Sequence, residues 1–214
     1  MPASEHLKSN HQELLFRSYV QRRRFLWVLC LIGLALRAVV AEATTLVRLG
    51  FSDLVHYSYS IARVRVLRAQ THFENGEIWT DTAFRVLWQN KGYLPEEIVV
   101  RQPGGIFLHL HSHVDGTSEF RPGEEVYLFL SGHPGHQFYI VGWSQGTFRI
   151  HRDLQSGAEM VTQESAETPV FDPETETFTK AGVRNLPAEI FEQRIRRETL
   201  RQGEVISKPN KKSR

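Results

Sequence analysis

Ile61-Ala-Arg-Val-Arg-Val66 and Ile78-Trp-Thr-Asp-Thr-Ala-Phe-Arg-Val-Leu-Trp88 flank Asn75-Gly76, and their reading decides the fold. Both runs alternate with a period of two, so each reads as a strand with one wet face: Ala62, Val64 and Val66 oppose Arg63 and Arg65. In the second run Ile78, Thr80, Thr82, Phe84, Val86 and Trp88 share one face, while Trp79, Asp81 and Arg85 share the other. Asn-Gly is the pair that a two-residue hairpin turn prefers, because both central positions need positive φ. An antiparallel hairpin over residues 61–89 follows.

More strands lie downstream. Ile98-Val-Val-Arg-Gln102 is stopped by Pro103-Gly104-Gly105, and Arg121-Pro-Gly-Glu124 turns into Val126-Tyr-Leu-Phe-Leu130, an apolar run on both faces and so a central strand. Gly132-His-Pro-Gly135 is a turn, followed by Phe138–Trp143 and then Thr147–Ile150. Six short strands with short connections predict a mainly β protein, a small antiparallel barrel or sandwich over residues 50–151, and not a parallel α/β sheet.

Helices are expected at both ends of this domain. Phe51–Tyr59 reads as a short amphipathic helix capped by Ser52, with Leu54, Val55 and Tyr59 on one face. Residues 152–184 read as an acidic, irregular extension with at most a weak hairpin: residues 153–180 hold seven acidic side chains against one lysine. A C-terminal helix is expected over residues 185–203, with Pro187 in its first turn, a stripe of Ile190, Phe191, Ile195 and Leu200, and Arg194, Arg196, Arg197 and Arg201 on its solvated face. Residues 204–214 form a basic tail.

Before the domain, Arg22-Arg-Arg24 is followed by the uncharged Phe25–Leu36 and then Arg37-Ala-Val-Val-Ala-Glu-Ala43. This is the order of a secretory signal, with Ala41 and Ala43 at the small-residue positions of a signal peptidase site. A second reading stays open, an uncleaved membrane anchor with Arg37 at its end. Residues 1–43 are thus leader and signal or anchor, and the domain is exported, periplasmic or secreted in the first reading and held outside the inner membrane in the second. The membrane is expected to be touched through this segment alone. The polar Met1–Gln21 stretch is long for a leader, and a start at Val20 would restore an ordinary signal opening.

Cleavage changes what the composition implies. Residues 1–43 hold six of the 26 Lys/Arg and three of the 24 Asp/Glu, which leaves 20 basic and 21 acidic side chains and a net of −1. The remaining charge carries no argument for a nucleic-acid partner. The single cysteine, Cys30, goes with the leader, and with it disulfides, thiolate metal sites and cysteine nucleophiles. Trp27-Val-Leu29 before it are not the small residues of a lipidation site.

The order of these features, from the helix at residues 52–59 through Ile61–Val66, Phe84–Gly92, Ile98–Pro103 and Phe120–Leu130, resembles a group of uncharacterised exported bacterial domains. More distantly it is similar to the netrin-like module of tissue inhibitors of metalloproteinases, an OB-type barrel. The resemblance implies a fold; it does not carry the inhibitory mechanism, which needs an N-terminal cysteine.

Candidate chemistry is sparse. His109, His111 and His113 fall at i, i+2 and i+4 of an extended segment, a spacing that can turn imidazoles toward one zinc or copper ion, with His133 or His136 as a further ligand. The bland alternative is a loop of exposed histidines without a cofactor. Trp79 and Trp143 are candidate ligand-stacking rings on an OB-type face, against a core-packing reading. Gly142-Trp-Ser-Gln-Gly146 has the spacing of a nucleophile elbow, but Ser144 falls between two strands without the following helix. The chain therefore reads as a non-catalytic binding or interaction module for an unknown protein or small ligand, with a histidine-dependent metal protein and a protease-associated, inhibitor-like module as alternatives.

Overall fold

The computed structural model describes residues 46–207. The leader, the signal or anchor segment with Ala41 and Ala43, and the last part of the basic tail lie outside the described residues. Helix α1 (Phe51–Tyr57) precedes β1 (Ser60–Glu74) and β2 (Glu77–Lys91), which pair antiparallel along their whole length down to Glu74 opposite Glu77. Asn75 and Gly76 take φ of 53° and 89°, the two positive values their turn requires. Strand β2 then pairs with β3 (Glu97–Pro103), and a small hairpin of β4 (Gly105–Phe107) and β5 (Leu110–Ser112) follows.

Strand β6 (Glu125–Ser131) returns to pair with β1. On its other side it pairs with β7 (Tyr139–Ile140) and with β8 (Thr147–Arg152), which leads to β9 (Glu159–Gln163). A separate hairpin of β10 (Val170–Asp172) and β11 (Thr177–Thr179) precedes the two-residue β12 (Leu186–Pro187), which pairs with β9, and α2 (Ala188–Ser207) ends the fold. The main sheet has eight antiparallel strands in the order β12-β9-β8-β6-β1-β2-β3, with β7 against β6. It is not a closed barrel. A parallel bridge between Val100 and Phe138, with the Arg101 N–H donating to the Phe138 carbonyl at 3.0 Å, joins the outer edge of β3 to the segment before β7.

Why β6 is apolar on both faces is now physical. Alternation sends Tyr127 and Phe129 into one core, with Leu54, Val55, Phe148, Phe191 and Ile195 from the helices and β8. Val126, Leu128 and Leu130 enter a second core with Val64, Val66, Phe84, Ile98 and Val100 inside the curl of the sheet. Covered on both sides, the strand has no wet face to make polar. Phe191 is the hub of the first core, its ring 4.8 Å from Phe148, 5.1 Å from Tyr127 and 6.0 Å from Phe51.

Several expectations need correction. Helix α1 is capped by Gly50, whose N–H donates to the Asp53 carboxylate at 3.1 Å; Ser52 lies inside the helix and donates to Glu198 at 2.8 Å, while Tyr59 falls beyond the helix end. Residues 152–184 hold a short hairpin as expected, β10–β11, but they are not otherwise irregular, since β9 belongs to the main sheet. Four of their acids are ion-pair partners: Glu159 accepts from Arg63 at 2.8 Å and Glu164 from Arg149 at 2.8 Å, while Glu167 faces Arg184 at 3.3 Å and Asp172 faces Arg48 at 2.5 Å. Pro187 precedes α2 instead of opening it, and the buried stripe is Ala188, Phe191 and Ile195, with Ile190 and Leu200 exposed. Of Phe138–Trp143 only Tyr139–Ile140 is strand, because Trp143–Gly146 forms a 3-10 turn.

Candidate functional site

The β4–β5 hairpin is laid across the β1–β2 ribbon as a flap. Gly104 and Gly105, with φ of 93° and 126°, let the chain leave β3 abruptly; a Cβ on Gly105 would stand 2.4 Å from Thr80 Oγ1. Three polar contacts hold the base of the flap. The Gly104 N–H donates to the Ile78 carbonyl at 2.8 Å, Thr80 Oγ1 donates to the Gly104 carbonyl at 2.7 Å, and the hydroxyls of Thr71 and Thr80 lie 3.1 Å apart. Further out, Phe107 stacks on Phe73 near the ribbon tip, with centroids 6.2 Å apart and planes at 21°.

Exposed apolar side chains stand at the tip and on both faces of this flap, Ile106 on the face shared with His111 and Leu110 on the face shared with Phe107. Leu108, in the two-residue turn, is 80 % exposed and Ile106 66 %, and Leu110 and Phe73 are exposed beside them. From Gln102 to Val114 there is no Asp, Glu, Lys or Arg. Two cavities open against the flap, one of about 400 Å³ lined by Phe73, Ile78, Pro103, Leu110 and His111, the other of about 260 Å³ lined by Ala69, Thr80, Ile106, His111 and Phe120. His111 lines both. Exposed large apolar side chains scattered singly need no explanation; three of them lining two cavities, with Leu108 at the turn between, do.

The histidines expected to share a metal sit on this flap but do not converge. His109 is in the turn, His111 on β5 opposite Ile106, and His113 beyond β5 with its Nε2 3.3 Å from Asp115. His133 packs edge-on against Tyr59, centroids 4.5 Å apart, and His136 lies in the same β6–β7 turn. Among the described residues no group of three or more His, Cys, Asp or Glu side chains is placed to hold a metal ion.

The two tryptophans are also separate. Trp79 lies on β2 opposite His72 and Pro103, half-buried under the Arg101 guanidinium 5.9 Å from its ring, and Arg101 in turn donates to Asp81 at 2.8 Å. Trp143 stands half-buried in the 3-10 turn between β7 and β8. Neither lines a flap cavity. Ser144 is buried in that turn with its N–H donating to Gly116 and its Oγ unpartnered, which is not the exposed hydroxyl of a nucleophile elbow.

The charged side chains are mostly occupied with one another. On the sheet face Arg63 bridges Glu125 and Glu159, and Arg65 joins from the side at 2.6 Å. Burial pushes the Glu125 carboxyl up, yet the hydrogen bonds from Arg65 and Arg63 win and hold it below its ordinary range; Glu159 is held low by its bond from Arg63. On α2, Arg194 lies over the Phe51 ring at 4.2 Å and Arg196 over Trp88 at 5.7 Å, so these arginines cover aromatic surface. Among the described residues no helix is long and apolar enough to cross a membrane.

Sequence reasoning passed over Phe73, Ile106, Leu108 and Leu110. The signal that could have found them is the thirteen-residue absence of charge from Gln102 to Val114 in a stretch broken by Pro103-Gly-Gly105, which is too polar in histidine and serine for a core strand and too apolar for an ordinary loop. Comparison of the chain with protein-family models, curated proteins and solved structures gives no match.

Proposed function

We propose that the chain is an exported, non-catalytic binding module of the bacterial cell envelope or exterior, and that it binds through the β4–β5 flap. The observation that carries this reading is the exposure of Ile106, Leu108 and Leu110 on a charge-free hairpin, with Phe73 of β1 beside Leu110 and a cavity on either side. Export is supported by the order of charge, apolar run and small residues over 22–43. An OB-type architecture, and with it the distant netrin-like resemblance, is supported by the β6-β1-β2-β3 neighbourhood and by the parallel bridge from β3 toward β7, which bring the sheet close to a partly open barrel.

The flap replaces Trp79 and Trp143 as the favoured binding surface, because those rings are half-buried and on separate elements. Hydroxyl-radical footprinting tests the proposal. Oxidation of Ile106, Leu108 and Leu110 is expected to be lower in intact producing cells than in the purified protein, while Leu154, 99 % exposed, is labelled equally in both. Equal labelling of all four in both settings overturns it.

A further inference from the structure

We infer that the surface the flap docks on is a lipid bilayer; the inference rests on the flap being the binding face and names its occupant. The flap has the make-up of an interfacial insertion. Its apex residue Leu108 projects from a tight turn at φ 54°, Ile106 and Leu110 flank it, and its uncharged length carries no formal charge that would have to be desolvated at the headgroup boundary. The polar groups it does carry, the imidazoles of His109, His111 and His113, keep an apolar body with a polar tip, the amphipathic pattern of side chains at a membrane interface. Charge stands only at the foot of the flap, where Glu77 lines one cavity and Glu119 the other, and the tip from Ile106 to Leu110 carries none.

Where the chain comes from points the same way. Leu46 packs on Gly116, in the loop that continues from β5, so the chain enters the domain beside the root of the flap. The uncharged Phe25–Leu36 run precedes it, separated by residues 37–45. Nine residues reach at most about 30 Å when extended, so in the anchor reading the domain is kept within that distance of the bilayer. A weak interfacial contact is then enough, because tethering replaces a search through solution with a high local concentration.

The test uses the full chain reconstituted into phosphatidylcholine–phosphatidylglycerol vesicles. Cys30→Ser removes the native thiol, and an environment-sensitive fluorophore is attached at Leu108→Cys, Ile106→Cys or Leu154→Cys. All three positions are exposed, Leu154 in the turn between β8 and β9, so the label displaces no core contact. The expected result is blue-shifted emission at 106 and 108 with quenching by doxyl lipids at least about twofold stronger than at 154. Water-like emission at 108, or equal quenching at 108 and 154, overturns the lipid inference. Blue-shifted emission without lipid quenching, lost on dilution of the protein per vesicle, assigns the surface to a second copy and overturns it too. If the flap is shielded in intact cells by footprinting yet unquenched in vesicles, the lipid occupant falls and the binding face stands; if it is shielded in neither, both fall.

Discussion

Phe73 and Phe107 stack nearly parallel, 6.2 Å between centroids, and this contact fastens the outer part of the flap to the tip of the β1–β2 ribbon. Removing it with Phe107→Ala is expected to cost about 1 kcal/mol of local stability beyond the area lost. Hydrogen exchange reads the effect: amides of residues 105–112 should exchange faster, while those of β6, central and covered on both faces, stay unchanged. Acceleration spread evenly over both would show that the stack does not act locally.

Gly105→Ala tests the root of the flap. Its φ of 126° is costly for any residue with a Cβ, and the added carbon would meet Thr80 and Thr71. A loss of more than about 1 kcal/mol in urea denaturation is expected. A neutral result would mean that the flap lies elsewhere in solution.

Phe191→Ala should be the most damaging single change considered. The ring is fully buried among Phe51, Tyr127, Phe129 and Phe148, so its removal leaves a cavity at the centre of the first core. A loss of about 3–5 kcal/mol is expected, with collapse of the near-ultraviolet aromatic circular dichroism. A loss below about 1 kcal/mol would mean that α2 is not docked as described.

Acid stability should carry the mark of Glu198. The hydrogen bond from Arg201, aided by Gln202 and Ser52 and opposed by burial, holds this carboxyl down to about 2 from an ordinary 4.5. A depressed carboxyl stabilises the fold above its unfolded value and loses that contribution as pH falls through the folded one, so the relevant window is pH 4.5 down to 2. Melting temperatures of the wild type and Glu198→Gln should differ above pH 4.5 and converge toward pH 2. A constant gap across this range would refute the linkage.

Zinc added to the purified protein should give no calorimetric heat beyond that of a variant carrying His109→Ala and His111→Ala. The geometry is the reason: the imidazoles occupy a turn, a strand and a following loop, and among the described residues no three metal-ligating side chains are gathered. A saturable heat in the wild type alone would restore the metal reading.

How much of this was legible depends on how local each cause is. Asn75-Gly76 is a backbone requirement carried by two adjacent residues, and the hairpin is where they place it. Val126–Leu130 announces a doubly covered strand through composition alone. The Ser52 hydroxyl, by contrast, is claimed by Glu198, 146 positions away, so no window around Ser52 reveals that Gly50 is the cap. Glu159 and Glu164 look like part of a solvated, disordered run until Arg63 and Arg149 are placed opposite them. The histidine spacing would share a face only in one extended segment, and the turn at Leu108-His109 and the end of β5 at Ser112 leave His111 alone on the strand. The apolar patch escaped for a similar reason, since Leu108 looks like any core leucine until the hairpin that bears it is seen lying outside the sheet.

The core around Phe191 binds the two ends of the domain into one object: Leu54 and Val55 from its first helix and Ile195 from its last share a single cluster. A ribosome releases these residues in order, with some 140 positions between them, so the first core cannot close until almost the whole chain has emerged. Until then the early strands have a sheet to begin but no cover for one side of it. A polypeptide that stays incomplete for so long remains threadable, and for the export proposed above that delay is an advantage, because a narrow translocation channel admits a chain that has not yet finished becoming a fold.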